Sequence, residues 1–127
     1  MIDIKEYILI LGGFYNIGFA LFHAKFWTVF NWKNDLPKLT RVNYAIMRIL
    51  NYCLIFIFLL MAYISFFHQF ELLYTGLGNT LLFAFAIFWI LRLLMQFKFF
   101  GIKNKISNLF VILFLFGGLI YSFVLYY

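Results

Sequence analysis

Four long apolar stretches, separated by three short polar connections, organise this chain. They run from about Tyr7 to Phe30, Val42 to Phe67, Leu77 to Phe97 and Ser107 to Tyr126. Each is close to the ~20 mainly apolar residues that a helix needs to cross a bilayer, so the pattern predicts four transmembrane α-helices. The first connection, Asn31 to Arg41, sets Asn34 and Asp35 beside the single proline, Pro37, and reads as a turn-rich loop. The second runs from His68 to Gly76, and the third from Lys98 to Ile106 with Gly101 and Asn104. Connections this short join antiparallel neighbours. The expected fold is therefore all-α: one transmembrane domain over residues 1–127, its helices (about 7–30, 42–67, 77–97 and 107–126) in an up-down-up-down bundle.

Composition points the same way. Apolar residues make up 67% of the chain and charged residues 11%, where a soluble domain is roughly half apolar and about a quarter charged. A water-soluble fold of 127 residues has too little interior to hide that much apolar surface, so lipid is the expected solvent. The 20 Phe and 9 Tyr are explained first by AT-rich coding, which also favours Ile, Asn and Lys, and they carry little functional weight. Cys53 stands alone, which removes any intrachain disulfide, C-x-x-C motif or cysteine-rich metal site. Within its apolar helix it is expected to be a small core or lipid-facing residue. No cleavable signal peptide is expected, because the start carries Asp3, Lys5 and Glu6 and the apolar stretch after it is too long.

Charge gives the threading a direction. Lys25, Lys33, Lys38, Arg41 and Arg48 lie in or beside the first connection, and Arg92, Lys98, Lys103 and Lys105 in or beside the third, nine of the ten basic residues. The second connection has none and carries Glu71. Because cytoplasmic loops collect Lys and Arg, loops 31–41 and 98–106 are expected in the cytoplasm and both termini on the other side of the cell membrane. The net charge of +6 then records topology and contact with anionic lipid. Nucleic-acid binding would need a basic surface clear of the membrane, and no segment provides one.

Polar residues inside the spans are costly and therefore informative. At 100° per residue, Gly12, Asn16, Ala20, His23 and Trp27 fall within about 80° of arc on the first helix. That stripe suits helix packing, whereas Lys25 points the opposite way and is expected to snorkel. The second helix groups Tyr44, Arg48, Asn51, Tyr52 and Ile55, and the third Phe85, Phe88, Trp89, Arg92 and Gln96. The fourth has a weak packing stripe of Ser107, Val111, Gly118 and Ser122. His23, Arg48, Asn51 and Arg92 all lie roughly 5–15 Å from the basic ends of their helices at ~1.5 Å per residue. An arginine costs about 2.5–3.5 kcal/mol at a helix centre and less near the interface, and no Asp or Glu lies within a span to neutralise either one. Two explanations compete. Both arginines snorkel to lipid phosphates while Asn and His join helices, or Arg48, Arg92, His23, Asn51, Gln96 and Trp89 line a pocket for a carboxylate, phosphate or lipid headgroup. An acidic partner protein is a third source of counter-charge.

Several classes are disfavoured. Without intramembrane carboxylates there is no usual path for a proton- or cation-coupled carrier and no oxygen cage for Mg²⁺ or Ca²⁺. No H-E-x-x-H pattern occurs, and Ser65, Ser107 and Ser122 lack His-Asp company. His23 and His68 are separated by roughly 28 Å along the bundle at ~1.5 Å per residue, so they cannot share a haem iron. No catalytic residue, metal or cofactor is therefore assigned. The leading functional expectation is a non-enzymatic bundle in contact with membrane lipids, acting as a homo-oligomer or as an accessory subunit beside another membrane protein. Its motives are the lack of a catalytic set, the lack of a soluble domain and the small-residue stripe Gly12, Asn16, Ala20 on helix one, with Gly118 as a further helix-packing residue on helix four. The second is binding or transport of an anionic or amphipathic small molecule at the arginine cluster. The third is a lipid-acting membrane enzyme with His23 as acid-base, histidine being the residue type whose ordinary pKa lies near neutrality.

Overall fold

In the computed structural model, which describes all 127 residues, the chain is helical throughout and contains no strand. In order, α1 spans Ile4–Ala24, α2 Phe26–Val29, α3 Trp32–Asp35, α4 Arg41–Phe67, α5 Gln69–Tyr74, α6 Gly76–Phe100 and α7 Lys105–Tyr126, with a 3-10 turn at Leu36–Lys38. Helices α1, α4, α6 and α7 are each long and apolar enough to cross a membrane. With 21 to 27 residues apiece, they extend about 32–40 Å at ~1.5 Å per residue, which matches a hydrocarbon core of about 30 Å.

Each span begins where the sequence supplies a cap for its orphan backbone donors. Asp3 and Glu6 form a capping box at α1, and Thr40 accepts from the Asn43 amide at α4. Thr75 accepts from Gly78 at α6, and Asn104 from Ile106 at α7. Helix α6 stops where Gly101 adopts a positive φ of 66°, a backbone state costly for side-chain-bearing residues. Gly78 has a different reason. The backbone of Glu71 and Leu72 lies directly over it, and a Cβ there would overlap the Glu71 carbonyl.

The spans form two helix hairpins, α1 with α4 and α6 with α7, which meet along α1 and α7. Only 25 of the 127 residues are buried, while Leu, Ile and Phe side chains cover the outside of every span. An outer surface this apolar is stable in lipid and not in water, so the fold is that of a multi-pass membrane bundle. Cys53 belongs to the exposed surface.

Since lipid tails are as apolar as the side chains, close packing must hold the helices together. Its centre is Trp89, fully buried. The indole stacks on Phe58 of α4 (5.5 Å, 15°) and on Phe114 of α7 (6.0 Å, 19°), and Phe19 of α1 approaches within 4.8 Å. All four spans thus contribute a ring to one cluster.

One boundary departs from the hydropathy pattern. The first apolar stretch extends to Phe30, but α1 ends at Ala24. Lys25 there takes φ −96°, ψ 5°, and its amide is shared between the Leu21 and Phe22 carbonyls. The apolar residues beyond it fold back as α2. Phe26 and Phe30 pack on Phe22 at 4.9 and 5.8 Å, and Trp32 packs on Phe26 at 5.4 Å. Aromatic rings favour the membrane interface as well as its core, so apolarity alone does not mark the end of the span. The expected stripe of helix one is shortened accordingly. His23 lies in the last turn of α1 and Trp27 belongs to α2, where it is 39% exposed.

Candidate functional site

The polar groups inside the bundle fall into two sets, one towards each end. Towards the termini, Tyr121 of α7 joins three helices. Its hydroxyl accepts from Asn16 Nδ2 of α1 at 2.7 Å and pairs with Ser65 Oγ of α4 at 2.8 Å. Asn16 Nδ2 also donates to the Gly12 carbonyl at 2.8 Å. Asn16, Ser65 and Tyr121 are each fully buried. Nearby, the Tyr15 hydroxyl donates to the Leu113 carbonyl at 2.6 Å.

Gly12, Asn16, Ala20 and Gly118 are all buried within one chain. A Cβ on Gly12 would press on the Tyr121 hydroxyl at 2.9 Å, and one on Gly118 would meet Ile90 at 3.1 Å. The stripe of helix one is therefore consumed by contacts with α4 and α7. On α7 the buried face runs through Ser107, Phe114, Gly117, Gly118, Tyr121 and Val124. Val111 and Ser122 are only half-buried. Tyr121 is the functional group the sequence reading overlooked, and the buried Asn16 opposite it was the available signal.

The basic end is arranged differently from the single cluster expected there, because the candidate residues separate into three groups. His23 and Asn51 pair with each other. Asn51 Nδ2 donates to the His23 carbonyl at 3.0 Å, which turns its Oδ1 towards the imidazole, 2.9 Å from Nδ1. The ring nitrogen facing that carbonyl oxygen must then be protonated and donate. Phe26 and Phe58 flank the ring at 4.1 and 5.0 Å.

Arg48 points along the outer side of α4. Its guanidinium donates to the hydroxyls of Tyr44 (3.1 Å) and Tyr52 (3.0 Å) and lies 5.3 Å from the Trp27 ring centre. The cavity it lines, about 370 Å³, also includes Asn51, Trp27 and Trp32.

Arg92 faces another cavity, of about 540 Å³, walled by Phe22, Phe26, Phe30, Phe100, Phe110 and Phe114, with Gln96, Asn104 and Ser107 as its other polar lining. Arg48 and Arg92 thus line separate cavities because their helices belong to different hairpins, and Trp32 is a wall common to both. Trp89, expected at the binding surface, lies fully buried in the ring cluster, and its Nε1 has no hydrogen-bond partner. Asn16 Oδ1 shares that condition.

The second cavity has a definite chemical character. Arg92 is partly buried and forms neither a hydrogen bond nor an ion pair within the chain. Its guanidinium carbon lies 4.4 Å from the ring centre of Phe114, a cation–π contact. Gln96 Nε2 donates to Ser107 Oγ at 3.0 Å, and Ser107 donates to the Gly101 carbonyl at 2.6 Å. Asn104 uses its carbonyl oxygen to cap α7, which leaves its amide NH₂ as a donor. The cavity therefore offers one cation and amide donors at one side and aromatic carbon elsewhere. No group of three or more His, Cys, Asp or Glu side chains is placed to hold a metal ion. No family model, curated protein or solved structure matches this chain.

Proposed function

We propose that this bundle binds an acidic amphiphile, a molecule with a carboxylate or phosphate head and an apolar body, in the Arg92 cavity at the cytoplasmic leaflet of the cell membrane. The observation that carries the reading is the Arg92 guanidinium, which lies inside a cavity of aromatic side chains with no carboxylate, carbonyl or hydroxyl partner. A cation removed from water without a counter-charge is costly, and a carboxylate or phosphate supplies two acceptors in the planar geometry that guanidinium favours. The rings around it suit an apolar body.

In this reading both termini lie outside the cytoplasm. Nine of the ten basic residues gather at the opposite end of the bundle, as cytoplasmic ends do. Oligomeric or accessory-subunit action draws no support from the stripe Gly12, Asn16, Ala20, which is occupied within the monomer. Acid-base chemistry at His23 draws none from geometry either, since its Nδ1 is held by Asn51 and the ring lines neither arginine cavity.

Native mass spectrometry of the purified protein in mild detergent tests the proposal. The probes are palmitate and 1-palmitoyl-lysophosphatidate, with 1-palmitoyl-lysophosphatidylcholine as the zwitterionic control. Both acids should be retained over the control. Arg92→Gln should weaken retention by roughly 10- to 150-fold, the equivalent of a charge-assisted hydrogen bond of about 1.5–3 kcal/mol. Equal retention by wild type and Arg92→Gln would overturn the assignment.

A further inference from the structure

On the outside of the bundle, between α1 and α7, lies an apolar groove of about 450 Å³. Along α1 the row Phe14, Gly18, Phe22 follows the i, i+4 spacing that forms a ridge on a helix surface. Gly18 is a notch in that ridge, because no atom lies within 4 Å of where its Cβ would stand. Tyr15 and Phe19 lie beside the notch on α1, and Phe110 and Leu113 line it from α7. The Tyr15 hydroxyl bound to the Leu113 carbonyl ties the two sides together.

Phe22 and Phe110 also wall the Arg92 cavity, so groove and cavity are neighbours with two rings in common. From Phe22 to Phe14 the groove follows α1 for about 12 Å at ~1.5 Å per residue, leading away from the basic end towards the bilayer midplane.

We infer that this groove seats the acyl chain of the acidic amphiphile, with its head at Arg92 and its chain passing over the outer edge of the Phe22–Phe110 ring pair, whose centres are 5.5 Å apart, into the Gly18 notch. The inference rests on the Arg92 reading and adds the position of the tail, which makes the ligand a long-chain acid lipid and not a compact anion. Two features favour a chain over a second helix as occupant. The groove adjoins a cationic cavity across the Phe22–Phe110 ring pair, and its lining is almost wholly apolar, with the Tyr15 hydroxyl committed within the chain. Acyl chains gain little from exchanging bilayer for an apolar groove. Arg92 must therefore supply the affinity, while the notch fixes where the chain lies.

Photolabelling of the full protein in phosphatidylcholine vesicles locates the tail. The probe is a lysophosphatidate carrying a mid-chain diazirine, and peptide mass spectrometry maps the adducts. In wild type the label should concentrate on Phe14, Gly18 and Leu113. Arg92→Gln should lower labelling there at least fivefold, as should replacing the phosphate head by phosphocholine. Gly18→Leu places a side chain where nothing opposes it and replaces a poor helix former by a good one, so it should fold and shift the label out of the groove. Arg92-dependent labelling on other faces would overturn the groove while leaving the Arg92 reading intact. Labelling indifferent to Arg92 would overturn both. Adducts joining two copies of the chain through Gly18 would show a helix in the notch and overturn the acyl assignment.

Discussion

The two ends of this bundle use polar side chains in opposite ways. Towards the termini Asn16, Ser65 and Tyr121 are fully buried and hydrogen-bonded to one another across three helices. Towards the basic end Arg92 faces a cavity of about 540 Å³ and finds only the face of Phe114. Both arrangements place costly groups in an apolar setting. The first joins helices through hydrogen bonds that satisfy every buried polar group of the set except Asn16 Oδ1. The second leaves a cation without a counter-charge, which is the basis of the proposed ligand site. Between them stands Trp89, stacked on Phe58 and Phe114. On the proposed function, stability belongs to one end of this molecule and recognition to the other.

Three substitutions test that division. The largest effect is expected from Trp89→Ala, which removes the ring at the meeting point of all four spans and should cost about 3–5 kcal/mol in reversible unfolding. A loss under 1 kcal/mol would mean that the ring cluster is not the central support. Tyr121→Phe should cost about 1–2 kcal/mol by leaving Asn16 and Ser65 without their shared partner, with retention of lysophosphatidate unchanged. Retention falling in step with stability would merge the two ends into one unit. Arg92→Leu should move stability the other way, up by about 0.5–2 kcal/mol, because an unpaired cation is exchanged for a side chain suited to the cavity, while acid retention is lost. A destabilised Arg92→Leu would make Arg92 a structural residue.

The sequence disclosed the two ends unequally. Four spans were legible because length and apolarity suffice to specify a membrane helix, and α4, α6 and α7 begin and end within about three residues of the hydropathy boundaries. The break at Lys25 was not legible, because the stretch from Phe26 to Phe30 stays apolar although it forms a separate short helix, α2, and not a continuation of α1. The absence of an acid partner for Arg92 could be read directly, since no span contains Asp or Glu. Its separation from Arg48 could not, because that depends on the order in which α4, α1, α7 and α6 neighbour one another. Tyr121 was hidden for a related reason. It is one of nine tyrosines in an aromatic-rich chain, and only the placement of α7 against α1 and α4 distinguishes it.

The smallest expected effect concerns charge at the terminal end. Glu71 stands in the first turn of α5. The backbone amide there and the His68 imidazole, 3.4 Å away, hold its carboxyl below the usual carboxylate range. A carboxylate whose folded-state pKa is lowered contributes stability above its unfolded pKa, and that contribution is lost as pH falls through the folded value. The wild type should therefore show a slight acid-side decline, in that window below the ordinary glutamate range, that Glu71→Gln lacks. Both partners are solvent-exposed, and exposed pairs contribute little, so the two unfolding curves should coincide at neutral pH. If Glu71→Gln instead destabilised the protein at pH 7 as much as Tyr121→Phe does, the cohesion of this end would lie in its surface charges, and the contrast between a hydrogen-bonded interior and one with an unpaired cation would fail.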